Sequence, residues 1–322
     1  MSFWQRLFSF AKEEPAADAQ ETAVSLPAPV YPRVLLIIHA PRINGRSLHA
    51  HFRWQDPDKL TQQYMADVRH ASYGYTNYQI VERIEVDGFP IKADGFSYTP
   101  ASYLACWQKR SSFHQPDWAD YPRLLAEFNV AQRINNDEID EVWLFGFPYA
   151  GYYESMMAGP SSFWCNAPPL HERHCQRRFV VMGFNYERGV GEMLENLGHR
   201  TKSIMSHVYR HTRGANNLWE RFTRYDKTHP NQAACGNVHF APNSQHDYDW
   251  GNPAPVLSEC DDWLDFPNLT GQRRRVTCRN WGNGDIRQYH LWWLRHLPHV
   301  AGQTNGIANN WWRYIIDPNQ VP

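Results

Sequence analysis

Three side chains of the kinds that bind divalent metal ions recur at helical spacing in "GVGEMLENLGHR". Glu192, Glu195 and His199 stand at positions i, i+3 and i+7, so one face of an α-helix would carry all three. Carboxylate oxygens and an imidazole nitrogen suit a divalent metal, and the same groups can transfer protons. The spacing therefore predicts a metal-binding or acid–base helix. The alternative is an amphipathic helix with a solvated face, because Glu is a frequent helix former.

A second group of potential ligands lies in "NVHFAPNSQHDYDW", which contains His239 and an Asp-x-Asp pair that ends at Asp249. An Asp-x-Asp pair flanked by His is able to bind a divalent metal. Asp in loops also caps turns, which is the alternative role for this segment. We expect Glu195 and His199 to bind a divalent metal, with zinc and calcium as the candidates. His239 or Asp249 would complete the ligand set.

Continuous runs rich in Val, Leu, Ile and Phe predict three strands that are buried on both faces. They are "VLLIIHA" (34–40), "DEVWLFGFP" (140–148) and "RRFVVMGFN" (177–185). Helical patterns lie between them, notably at residues 56–72 and 120–135. This alternation predicts an α/β fold with a mixed, partly parallel sheet flanked by helices.

The carboxyl ends of these strands lead into further polar residues. Ligands of open α/β sheets bind at that edge of the sheet. If the strands are parallel neighbours, the rule brings together His39, Glu154, Asn185, Glu187 and Arg188. Glu154, or alternatively Glu192 on the helix, is then the predicted general base. Arg188 is predicted to bind an anionic group of a substrate or intermediate.

The segment "ENLGHR", which begins at Glu195, resembles the zinc-binding helix of zincin metallopeptidases, whose motif is H-E-x-x-H. In this alignment Glu195 takes the first-ligand position, Asn196 the general-base position and His199 the second-ligand position. Only His199 matches the motif. Because an amide does not act as a general base, the resemblance implies that another residue, such as Glu192 or Glu154, has this role.

A longer pattern, "GFNYERGVGEML…GHR" with "VWLFGFPYAGYYES" and "CGNVHFAPN", resembles an uncharacterised family of bacterial and fungal proteins. This resemblance extends over most of residues 32–322 and implies no particular activity. We treat residues 32–322 as a single α/β domain. Its part from about residue 228 is rich in Asn, Pro, Gly and Trp with little periodicity, which predicts an irregular, aromatic-rich C-terminal cap.

The amino-terminal residues differ in composition from this domain. Residues 1–11 carry apolar side chains at helical spacing, which predicts an amphipathic segment able to contact a membrane surface or a protein partner. Residues 12–31 are rich in Ala, Pro and acidic residues, which predicts a flexible linker. Arg6 interrupts the first apolar stretch, so no signal peptide is predicted, and we expect a cytoplasmic or peripheral membrane location.

The overall composition argues against some classes of protein. The chain has 32 Lys and Arg against 33 Asp and Glu, and its arginines are scattered, so no nucleic-acid partner is expected. It has no run of about 18 apolar residues, so no transmembrane helix is expected. None of the six cysteines forms a CxxC pair, and we expect mostly reduced thiols.

Another cysteine-containing segment, "FWCNAPPLHERHC", offers alternative chemistry. Cys165 with His171 or His174 would be a nucleophile–base pair. The same three residues with Cys175 would be a structural zinc site.

Two functions remain open from the sequence. The first is a metal-dependent hydrolase that acts on a peptide or a glycan through the Glu/His helix. The second is a non-catalytic module that binds a glycan or peptide in a cleft lined by aromatic residues, because Trp and Tyr make up much of the 15% aromatic content. The predicted lining residues are Trp292, Trp293, Trp311 and Trp312. The oligomeric state is not predicted.

Overall fold

A computed structural model of the chain describes residues 25–322. The predicted amphipathic segment 1–11 and most of the predicted linker lie outside the described residues. The remainder of that linker contacts the domain: the carbonyl of Ser25 accepts a hydrogen bond from the Ala301 N–H, and Val30 exchanges hydrogen bonds with the stretch at Tyr75. None of the helices in residues 25–322 combines the length and apolar composition that a membrane span requires.

The described chain alternates strands and helices. The strands are β1 (Arg33–His39), β2 (Arg42–Ile43), β3 (Arg46–Ser47), β4 (Gln79–Val86), β5 (Glu141–Gly146), β6 (Ser155–Ala158), β7 (Phe179–Asn185), β8 (Val256–Ser258), β9 (Arg274–Val276), β10 (His299–Thr304) and β11 (Ile307–Asn310). The α-helices are α1 (Leu48–Phe52), α2 (Pro57–Ala71), α3 (Pro100–Lys109), α4 (Tyr121–Glu127), α5 (Val130–Asn135), α6 (Val190–Val208), α7 (Leu218–Phe222), α8 (Ile286–Arg295) and α9 (Trp312–Ile316).

Five strands form the central sheet in the order β4-β1-β5-β7-β6. The first four are parallel, and β6 runs antiparallel to β7 at the edge. This arrangement confirms the predicted mixed, partly parallel sheet. The three strands predicted from apolar runs are its central members β1, β5 and β7. Because these strands are parallel, their carboxyl ends meet at one edge of the sheet.

Both faces of the sheet are covered, which explains the continuous apolar runs in its central strands. On one face, Leu36 and Trp143 pack in the same core as residues of α2 and α6. On the other face, Leu35 and Val142 pack with residues of α4 and α5. Neighbouring residues of one strand thus belong to different cores, as the strand period of two requires.

Two local features differ from the sequence prediction. The predicted helix 120–135 is divided into α4 and α5, because Asn129 adopts the left-handed conformation with φ of 52°. Asn tolerates that region better than most residues do. Strand β6, which follows Glu154, was not predicted, because a short "SMMA" run resembles a buried helix as much as a strand.

The C-terminal part is irregular, with short hairpins β8–β9 and β10–β11 and the helices α8 and α9. It shares the larger core of the sheet, and its aromatic residues supply much of that core. The predicted aromatic cap is therefore part of a common core. Trp293, Trp311 and Trp312 are completely buried there, and Trp292 packs against Trp281 and His296. The prediction that Trp293, Trp311 and Trp312 line an open cleft is wrong.

Helix α6 is fixed to both the sheet and the cap by one buried ion pair. Arg200 donates to Glu141 on β5 at 2.7 Å, and neither side chain is more than 1% exposed. The same guanidinium donates to the carbonyls of Ile315 and Ile316 on α9. This pair sets the position of the helix that carries Glu195 and His199.

Candidate metal centre

The two predicted ligands on α6, Glu195 and His199, lie one helical turn apart, and their side chains are directed to a common point beside the helix. Glu195 is buried and His199 is half-buried, and the carboxylate Oε1 lies 3.9 Å from the imidazole Nε2. On the same helix, the Asn196 amide donates to the Gly183 carbonyl of β7 at 2.7 Å. Asn196 therefore holds the helix on the sheet, and its amide is not free for proton transfer.

His239 approaches the side chains of Glu195 and His199 from the loop that follows α7. The loop is held close to the helix because Gly198 of α6 has no side chain: a Cβ there would lie 3.0 Å from a methyl group of Val238. The next residue, His239, consequently faces α6. The buried His290 of α8 lies 3.2 Å from the Val238 carbonyl and supports the loop from the other side.

Glu195, His199 and His239 form a group whose candidate ligand atoms all lie within 4.8 Å of one another. The two Nε2 atoms are 3.1 Å apart, and Nε2 of His239 is 3.3 Å from Glu195 Oε1. In a tetrahedral zinc site with bonds of about 2.0–2.1 Å, ligand atoms lie about 3.3–3.4 Å apart. The spacing of this group is thus close to that of three protein ligands around one zinc ion.

A second carboxylate stands beside the group. Glu154 lies just before β6, where the antiparallel edge strand brings it next to α6, and its Oε2 is 3.7 Å from His199 Nε2. The Asn166 amide donates to the same oxygen and orients it. The Glu154 side chain is partly exposed, so water can reach it.

Asp247 and Tyr248 complete the surroundings of His239. The Asp247 carboxylate lies 3.0 Å from His239 Nδ1, and the Tyr248 hydroxyl lies 3.2 Å from Nε2 of the same ring. A carboxylate on the far nitrogen of a ligand His fixes the tautomer with Nε2 directed to the metal. Asp247 belongs to the predicted second segment, whereas Tyr248 carried no signal in the sequence because Tyr is common in cores and loops.

The ionised carboxylate of Glu195 is the negative charge of the group that would attract a cation. Burial opposes ionisation of Glu195, but hydrogen bonds from His199 and His239 outweigh it and hold the pKa of this carboxyl well below its usual range. The hydrogen bond to Glu195 raises the pKa of His239 against the effect of burial, so a metal ion would compete with a proton for this imidazole. Burial raises the pKa of Tyr248 to about 12, with Glu195 adding to the shift. Tyr248 is therefore a neutral hydrogen-bond donor near pH 7.

A cleft of about 460 Å³ lies at the carboxyl ends of β5 and β7. Glu154 and, from the group, Glu195 line it, whereas His199 and His239 are not among its lining residues. Trp118 and Tyr149, which are 49% and 40% exposed, line its outer part. The cleft thus combines carboxylates with exposed aromatic rings, a combination found in sites for small polar ligands.

The other predicted site residues have separate positions. Glu192 lines the cleft, but its carboxylate accepts a hydrogen bond from the Gly189 N–H and caps α6. Arg188 also lines the cleft, and its side chain is 61% exposed. Asp249 is not part of the group: its carboxylate accepts from the Gln245 N–H and the Asn252 amide, which is the turn-capping role.

The residues predicted to converge at the strand ends meet only in part. Glu154, Asn185 and Arg188 line the cleft, whereas His39 and Glu187 are not among its lining residues. His39 is buried at the end of β1, where its Nδ1 lies 2.6 Å from the Tyr152 hydroxyl. Burial lowers the pKa of His39 to about 4, so the ring is neutral near pH 7.

The alternative cysteine chemistry does not fit the structure. Cys165 is fully buried, and burial raises the pKa of its thiol to about 11, which disfavours a thiolate nucleophile. Cys165, His171, His174 and Cys175 do not form a metal-binding group within residues 25–322. All six cysteines, which lie in this range, are free thiols.

Comparison of the chain with family models, with curated proteins and with solved structures finds no match.

Proposed function

We propose that this chain is a metal-dependent hydrolase, with zinc as its metal, that acts on a peptide or glycan bound in the cleft. The observation that carries the proposal is the convergence of Glu195, His199 and His239 next to Glu154, where the two carboxylates line that cleft. Two imidazoles and one carboxylate form a ligand set of catalytic zinc sites, which keep a fourth position for water or substrate. Calcium fits less well, because it prefers more ligands and oxygen alone.

In this proposal Glu154 is the general base. Its carboxylate is near the group and partly exposed, whereas that of Glu192 is engaged at the helix terminus. With a peptide, Glu154 takes a proton from the attacking water while the water oxygen adds to the carbonyl carbon. The C–N bond then breaks, and Glu154 passes the proton to the leaving nitrogen. A bound metal would polarise the water and the carbonyl oxygen.

Two further residues have roles in the same scheme. The neutral phenol of Tyr248, which lies 3.2 Å from His239 Nε2, would donate to the negative oxygen that develops on the carbonyl. The exposed guanidinium of Arg188, farther along the cleft, would bind an anionic group of the substrate. The faint likeness of Glu195 and His199 to the zincin helix is compatible with the scheme, with His239 as the third ligand.

Two measurements test the proposal: the metal content of the purified chain, and then its hydrolysis of candidate substrates. Elemental analysis of the purified chain is expected to find zinc in the wild type and a loss of zinc in His199→Ala. Panels of peptides and glycans are then expected to reveal hydrolysis that a chelator abolishes and zinc restores. A chain that takes up no zinc, and whose melting temperature is the same with zinc and with chelator, would contradict the proposal.

The second candidate function is recognition of a glycan or peptide without turnover. The exposed rings of Trp118 and Tyr149 in the cleft favour it, because aromatic faces stack on sugar rings and peptide side chains. Saturable binding on an array, unchanged in His199→Ala and lost in Trp118→Ala, would support this function in place of hydrolysis.

A further inference from the structure

A second group of metal-binding side chains lies in the C-terminal part of the domain. The candidate ligand atoms of Cys260, Asp261 and His296 all lie within 4.8 Å of one another. Cys260 Sγ is 3.4 Å from Asp261 Oδ1, and His296 Nε2 is 3.9 Å from the same oxygen. None of these residues belongs to the hydrolase scheme, and no sequence pattern predicted the group.

The environment of the His296 side chain indicates that this group binds a ligand. Its Nδ1 lies 2.6 Å from the Trp292 carbonyl and donates to it, so in the neutral imidazole Nε2 carries the lone pair. The residue is only 5% exposed, and within residues 25–322 Nε2 has no hydrogen-bond partner. A buried acceptor without a partner costs about 1–3 kcal/mol. This nitrogen faces the Asp261 carboxylate, itself an acceptor.

The neighbouring donors are directed to Asp261 and not to this nitrogen. The Cys260 thiol donates to Asp261, and Arg274 donates to both oxygens of the same carboxylate. The ring plane of His296 is held by the indole of Trp292, with the ring centroids 4.4 Å apart. The imidazole is therefore preorganised, with Nε2 next to a thiol and a carboxylate.

We propose that Cys260, Asp261 and His296 bind a zinc ion that joins the turn at residues 260–265 to the end of α8. One thiolate, one carboxylate and one imidazole are ligands that zinc accepts together. The separation expected in a tetrahedral zinc site is about 3.5 Å for sulfur to oxygen, near the observed 3.4 Å. For nitrogen to oxygen it is about 3.3 Å, so His296 and Asp261, now 3.9 Å apart, would move closer together on binding. The partly exposed Asp261 side chain leaves the fourth position open to water.

The role that follows is structural. Zinc in place of the thiol proton would satisfy His296 Nε2 and balance the negative charges of the thiolate and carboxylate, while Arg274 keeps its contact with Asp261. Helix α8 also carries His290, which supports the loop of His239. The site would thus stiffen the helix behind the first metal centre, although its existence does not depend on the proposed hydrolase.

Cobalt substitution separates the two centres, because only the second contains a cysteine. We expect the full chain loaded with Co²⁺ to show a thiolate-to-cobalt charge-transfer band in the near ultraviolet. The band should disappear in Cys260→Ser and persist in His199→Ala. Cys278→Ser, which changes another buried thiol in the same region, is the matched control and should retain it.

His296→Gln provides an independent check, because it leaves every thiol in place. It should bind one equivalent of metal fewer than the wild type and lose the charge-transfer band, with circular dichroism confirming a folded chain. A wild type without the band, a band that survives in Cys260→Ser, or an unchanged metal content in folded His296→Gln would each overturn the second site. None of these results would affect the first centre.

Discussion

The Nε2 atoms of His199 and His239 lie 3.1 Å apart, although forty positions separate the two residues in the chain. One stands on a long helix and the other on an irregular loop, and their rings meet nearly edge to face at an interplanar angle of 89°. Their contact depends on the close approach of the loop to Gly198. The metal centre is therefore a product of packing between two distant segments.

The first prediction concerns this packing. Gly198→Ala adds a Cβ at 3.0 and 3.2 Å from the two methyl groups of Val238, so Val238, which precedes His239, must shift by a few tenths of an ångström. We expect metal affinity to fall about tenfold or more, although Ala favours a helix over Gly by about 1 kcal/mol. Isothermal titration with zinc measures the change.

The matched control for this variant removes the obstruction. In Gly198→Ala/Val238→Ala the methyl groups of Val238 are gone, and metal affinity should return toward that of the wild type. If Gly198→Ala alone binds zinc as tightly as the wild type, the close approach does not position His239.

The second prediction separates the two candidate bases. Glu154→Gln should retain zinc yet lose hydrolysis of the identified peptide or glycan by about 10²–10⁴-fold, because an amide cannot take the proton from water. Glu192→Gln should keep most of the activity, since this carboxylate caps α6. Steady-state kinetics and zinc content of both variants decide the assignment, and the opposite ranking of their activities would make Glu192 the base.

The third prediction addresses the buried ion pair that fixes α6. Arg200→Met leaves Glu141 charged and without its main partner in the core, which should lower the free energy of unfolding by about 3–5 kcal/mol. Denaturant titration measures the loss. Lys202→Ala, at an exposed position on the same helix, should change stability by less than about 0.5 kcal/mol.

The double variant Arg200→Met/Glu141→Gln tests the cause. Removing both charges should recover part of the lost stability, because the uncompensated carboxylate is the main penalty. A double variant that is less stable than Arg200→Met would show that the packing of the arginine, and not its charge, fixes the helix.

The fourth prediction concerns pH. Burial opposes ionisation of Asp140, but hydrogen bonds from Arg33 outweigh it and lower the pKa of this carboxyl. The pair thus contributes stability that is present above the unfolded pKa of about 3.9 and is lost as the pH falls through the folded value. Asp140→Asn should therefore be less stable than the wild type by about 1–2 kcal/mol at pH 7.

The pH dependence distinguishes this charge effect from a packing effect. The difference between Asp140→Asn and the wild type should shrink steadily as the pH is lowered below about 4. Asp137→Asn, a change at an exposed neighbour, should have little effect at any pH. A difference that stays constant with pH would mean that the Asp140 charge does not stabilise the fold.

Local sequence patterns determined the fold class and part of the site. Continuous apolar runs identified β1, β5 and β7, because a strand buried on both faces has few alternatives to Val, Leu, Ile and Phe. Helical spacing placed Glu195 and His199 together, since residues four apart on a helix are always neighbours.

Only the tertiary structure decided the rest. It selected His239 and left Asp249 in a turn, it placed Glu154 next to His199 through an antiparallel edge strand, and it brought Cys260 near His296. These contacts arise where a loop or edge strand packs on a helix, and side-chain spacing along the chain carries no information about such approaches. The burial of the tryptophans was not predictable for the same reason. The sequence does not distinguish an indole that faces a cleft from one that, like Trp311, is buried in the core.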